Sequence, residues 1–148
     1  CGPLRAQAEA AGCVYDLLMG VWVSPQCHDP QLYSQYINKV NSTFYMNRQQ
    51  ETAVSWDDVL SGRHPETGLW TNGAFHHLHC SYIWDRQRRA YARSRASGAP
   101  LVLDSHCRNE THTDHCIFWN GNPNPWEIDA PNVTHLYLPE DPVRCLVG

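Results

Sequence analysis

Two stretches of this 148-residue chain carry the same side chains in the same order: His76-His77-Leu78-His79-Cys80 and His112-Thr113-Asp114-His115-Cys116. Both read H-x-x-H-C. Imidazole and thiolate are ligands for zinc, copper and other transition metals. On an α-helix, positions i, i+3 and i+4 share one face. His76, His79 and Cys80 therefore form one patch, and His112, His115 and Cys116 another. Ile83 and Trp119, at i+7, continue each patch as an inward-facing stripe. Buried imidazoles need hydrogen-bond partners or a metal. One core histidine is usually satisfied by a carbonyl, but four on two matched patches point to a metal centre. The expected ligands, and the catalytic residues, are His76, His79, His112 and His115. A single four-histidine site and two ions with extra ligands both stay open, with His77, His106 and His135 as reserves. His28 and His64 are expected to be solvated loop side chains.

Seven cysteines stand at 1, 13, 27, 80, 107, 116 and 145. Their spread fits a disulfide framework in an oxidising compartment, and no C-x-x-C occurs. The odd count leaves at least one thiol unpaired, intermolecular or ligating. Cys1, Cys13 and Cys27 are expected to staple the N-terminal region, and Cys107 and Cys145 to tether later segments. For Cys80 and Cys116 a mutual disulfide is favoured over thiolate ligation, because the compartment is oxidising. Three N-x-S/T sequons, at Asn41, Asn109 and Asn132, predict glycosylation and a lumenal or secreted location. The formal charge of −4 argues against a nucleic-acid partner. No apolar run approaches the roughly 18 residues of a membrane span. An anchoring or targeting segment is expected upstream of Cys1.

The motifs need elements to hold them. Asn72–Ala74 to about Ser97 reads as a long helix stopped by Gly98. Its arginines, Arg86, Arg88, Arg89, Arg93 and Arg95, are expected on the wet side, with Ile83, Trp84, Gln87, Ala90 and Tyr91 on the histidine side. The second motif helix is short, capped by Thr111 and ended by Asn120-Gly121. Residues 4–19 read as an alanine-rich helix. Asp29-Pro30 opens another that runs toward Val40, and Ser55 caps a short turn through Leu60. Residues 61–73 and Asn122–Pro125 read as loop, and Thr134–Leu138 as a strand or extended arm.

Paired H-x-x-H-C motifs resemble the UstYa-like family of fungal proteins. The opening Cys1-Gly2, Glu9-Ala10, Gly12-Cys13, Trp22, Pro25 and Cys27-His28-Asp29 looks like a subgroup carrying the same pair. The resemblance implies a small lumenal domain behind one N-terminal membrane anchor. It also implies an oxidase of secondary-metabolite pathways, especially oxidative cyclisation of ribosomally made peptides. It gives the four motif histidines the metal-ligand role.

The expected fold is mainly α: a small single domain over residues 1–148, with several helices, irregular loops and disulfides. The expected activity is metal-dependent oxidation of a peptide or small aromatic metabolite. Copper is the first choice and zinc the alternative, since imidazole suits both and intrinsic affinity favours Cu²⁺. A redox metal also accounts for oxidation by a chain without a dinucleotide or flavin motif. Two rivals stand beside this. One is a zinc hydrolase with Asp114, Glu110 or Asp104 as general base, though no H-E-x-x-H occurs. The other is a secreted binding module whose histidines are structural.

Overall fold

The computed structural model describes residues 1–2, 4–137 and 141–148. The expected 4–19 helix is a correction. Helix α1 (Arg5–Ala10) ends where Gly12 turns left-handed at φ 69°. Strand β1 (Val14–Asp16) then turns through Leu17–Gly20 and pairs antiparallel with β2 (Val21–Val23). Gly20, at φ 68°, closes that turn without a Cβ penalty. The β-branched and aromatic Val-Trp-Val run fits a strand. Helix α2 (Pro30–Ile37) starts as the sequence predicts, with the Asp29 carboxylate accepting from the Leu32 amide. Ser55 caps α3 (Trp56–Leu60).

Strand β3 (Leu69–Thr71) lies inside the stretch expected to be loop. Helix α4 (Gly73–Ser97) matches its expected span, capped by Asn72 and stopped by Gly98 at φ 67°. After β4 (Val102–Asp104) comes the second motif helix, α5 (Glu110–Gly121). Its cap is Asn109 rather than Thr111: Asn109 Oδ1 accepts from the His112 amide at 3.2 Å. A four-residue helix, α6 (Pro125–Ile128), follows the expected linker. Strand β5 (Thr134–Leu136) pairs with β3, and β6 (Cys145–Val147) with β4. The expected arm reached Leu138, which lies outside the described residues. Among the described residues the architecture is thus mixed: helices with three separate two-stranded antiparallel sheets.

Helix α4 is the spine. Phe75, His79, Cys80, Tyr82, Ile83, Arg86 and Ala90 are buried along it, among Leu17, Leu18, Trp22 and Leu32. Arg86 contradicts its expected wet placement. It is 3% exposed, and its Nη atoms donate to Asp16 at 3.1 Å, Asp104 at 2.7 Å and the Cys27 carbonyl at 2.7 Å. Tyr91, expected to face inward, is exposed. Disulfides join Cys1 to Cys13 and Cys27 to Cys145. Cys107 is a buried free thiol and tethers nothing. The two bridges fit an oxidising compartment. Among the described residues no helix is long and apolar enough to cross a membrane.

The sequons differ in access. Asn41 and Asn109 are exposed, and Asn132 is half-buried. Protein made in a eukaryotic secretory host is expected to lose mass on glycosidase treatment, with Asn41 and Asn109 modified first. An unchanged intact mass would remove this support for a lumenal location.

Candidate metal centre

Helices α4 and α5 set the two motifs face to face. His76 Nε2 lies 2.9 Å from His115 Nε2, and His79 Nε2 lies 3.2 Å from His112 Nε2. Along each helix the rings stand further apart, with centroids 6.0 Å apart for His76 and His79 and 6.3 Å for His112 and His115. The four expected ligands are therefore brought together as two cross-helix pairs.

The inner pair has a fixed tautomer on one side. His79 Nδ1 is 2.5 Å from the Leu18 carbonyl. A carbonyl only accepts, so Nδ1 carries a proton, and in the neutral ring Nε2 is the acceptor that faces His112. Only a proton on His112 Nε2 or a cation between the rings fills that gap. His112 Nδ1 is itself buried without a hydrogen-bond partner. A backbone carbonyl orienting a ligand imidazole is the usual outer-shell device of metal sites. Two nitrogens bound at ~2.0–2.1 Å to one ion stand roughly 2.9–3.4 Å apart for angles from square to tetrahedral. Both pairs meet that spacing. Cys116 joins the inner pair: the ligand atoms of His79, His112 and Cys116 all lie within 4.8 Å of one another. The donor set fits a transition metal.

The electrostatics favour ligation. Burial, then the neighbouring His79, pushes His76 down to about 3. Burial, then His106, pushes His112 down to about 3. His106 falls to about 4 through burial and then His79. These rings are neutral at pH 7, the form that binds metal. Cys80 and Cys116 are free, buried and hydrogen-bonded to each other. That bond lowers Cys116 and raises Cys80, so Cys116 is the member that ionises.

The chain is 25% identical over 126 residues to the phomopsin biosynthesis cluster proteins B and B′ of Diaporthe leptostromiformis. The alignment covers 80% of this chain and 35% of each relative, so the chain spans about a third of their length. No known family profile matches the chain. No solved structure matches it either.

The other histidines divide. His106 joins the centre, its ring 4.1 Å from that of His112. His77 turns away to Asn120 Oδ1 at 3.0 Å. His135 lies elsewhere, stacked on Trp70 at 4.3 Å and bonded to the Thr67 carbonyl. His28 and His64 are not the solvated side chains expected. His64 Nε2 meets the Tyr15 hydroxyl at 2.8 Å, and the His28 side chain is 11% exposed beside Asp16. Two contributors were missed: the Leu18 carbonyl, supplied by an irregular turn with no sequence signal, and Arg86, whose helical register with His79 and Ile83 was the available signal but whose carboxylate partners lie on other elements. Trp119 packs against His76 at a tilt, ring centroids 4.5 Å apart, as its i+7 position suggests. Asp104 is tied to Arg86 and to the Cys107 amide. Glu110 and Asp114 are exposed, outside the ligand group.

Proposed function

We propose that this chain is a copper-dependent oxidase of the UstYa-like kind. It acts in a secretory lumen on a peptide or aromatic secondary metabolite, oxidative cyclisation being the type reaction. The observation that carries the reading is the facing of His79 Nε2, on a ring whose Nδ1 donates to the Leu18 carbonyl, onto His112 Nε2. The likeness to biosynthesis cluster proteins supports the setting. His76, His79, His112 and His115 hold the metal. Copper would supply one-electron oxidation of a substrate phenol or C–H position. The chain's own part is to keep His76 and His112 neutral through burial, to aim His79 through Leu18, and to wall the site with Trp119. A zinc hydrolase is less favoured, because its one buried candidate base, Asp104, is already paired with Arg86.

The test is reconstitution of tag-free protein with Cu²⁺, read by elemental analysis and spin resonance. Imidazole-ligated copper is expected, and the combined His76→Ala, His79→Ala, His112→Ala, His115→Ala variant should bind none. Copper retained by that variant would sink the assignment.

Cys80 and Cys116, already in contact, are proposed to bridge when the protein matures in an oxidising lumen. Non-reducing peptide mapping should recover them linked. Recovery of either as a free thiol in copper-loaded protein would instead make Cys116 a ligand.

A further inference from the structure

We propose that the centre takes two ions at separate positions. The inner lies between His79 and His112, and the outer between His76 and His115. The outer position is open to an exogenous ligand, and the inner, where His112 is half-buried but His79 and Cys116 are buried, is the more enclosed. This rests on the copper reading above and extends it.

One ion at ~2.0–2.1 Å from four imidazoles would hold all four Nε2 atoms within roughly 4.2 Å of one another. The donors that do gather, within 4.8 Å, are those of His79, His112 and Cys116. His76 and His115 fall outside that group yet stand 2.9 Å from each other. The ring separations along each helix, 6.0 and 6.3 Å, divide the donors the same way. Two ions at separate positions fit better than one quartet.

The positions differ in access. At the inner one, His79 is 7% exposed and Cys116 fully buried, with Leu18 fixing the ring. At the outer one, His115 is exposed and His76 half-buried. The next imidazole on α4, His77, is committed to Asn120 and supplies no third donor. Two protein donors leave the outer ion's remaining positions to solvent or a small ligand. Trp119, 4.5 Å from His76 and 6.2 Å from His115, walls one side of that opening. The outer ion is thus the one that a substrate donor atom reaches.

The experiment loads the full chain with Cu²⁺ and measures stoichiometry, with spin resonance before and after adding azide. Wild type should hold two equivalents, with a dipolar-broadened spectrum that azide alters. His76→Ala/His115→Ala should hold one equivalent, lose the broadening and ignore azide. His115→Ala alone, a change at an exposed side chain, should follow the double variant. One equivalent in wild type, lost on removal of either pair, would establish a single quartet and overturn the proposal. One equivalent unchanged by His76→Ala/His115→Ala would reduce the outer pair to a hydrogen bond and also overturn it. In both cases the oxidase reading survives, whereas no copper in any sample defeats both.

Discussion

Arg86→Met is expected to destabilise the fold by about 3–5 kcal/mol, the usual effect of removing one partner from a buried ion network. Arg86 joins three segments: Asp16 on β1, Asp104 on β4, and the Cys27 carbonyl before α2. The Tyr82 hydroxyl completes the cluster, donating to Asp16 at 2.7 Å. Without the guanidinium, two buried carboxylates lose the cation they share. Burial already raises the Asp16 carboxyl, and Arg86 is the largest influence holding it down. In the variant the folded-state value rises further above the unfolded one. The folded variant therefore takes up protons, and its stability falls as pH rises. The deficit should be larger at pH 7 than at pH 5, measured by urea denaturation at both. An equal deficit at both would mean that lost packing, rather than stranded charge, is responsible. Loss of copper affinity should accompany it, since Asp16 opens the turn carrying the Leu18 carbonyl and Asp104 opens the turn carrying His106.

His79→Ala should abolish oxidation and lower copper affinity by more than the ~10–100-fold that loss of an outer-shell partner costs. The apo variant should stay folded, losing about 1–3 kcal/mol because the Leu18 carbonyl is left without its donor. The diagnostic readout is metal-linked stability. With copper at a hundred times the inner site's dissociation constant, the inner ion should contribute about 2.7 kcal/mol in wild type, and the variant should lose that increment while keeping whatever the outer ion adds. His77→Ala is the control: its ring bonds to Asn120, so copper affinity should stay within about threefold on that argument. An His79→Ala protein that keeps wild-type turnover would show the inner pair to be structural.

The motif helices were legible because helical spacing marked both and Gly98 stopped the first; the cap of the second was misassigned to Thr111, two residues after Asn109, which fills it. Arg86 was misplaced by residue type, since charged side chains usually face water. Periodicity alone says otherwise: His79, Ile83, Arg86 and Ala90 fall on one stripe, and all four are buried. What the sequence could not give was the partners, which lie 70 and 18 residues away. The β1–β2 hairpin was hidden by the alanines before it, although Gly12 and Gly20 bracket the segment and Val21-Trp22-Val23 has strand character. The split of four histidines into two pairs was equally out of reach. It depends on how α5 lies across α4, which no local pattern encodes.

The Cys27–Cys145 bond spans 118 positions, so most of the chain is a covalently closed ring containing both motif helices. A single protease cut in the exposed turn after Gly98 would open that ring without releasing a fragment. The nicked molecule would migrate as one band until reductant was added. Continuity of the backbone between the two histidine-bearing helices is therefore not what keeps them in one molecule. A chain severed there, or rejoined in permuted order across Cys27 and Cys145, should still assemble the metal centre.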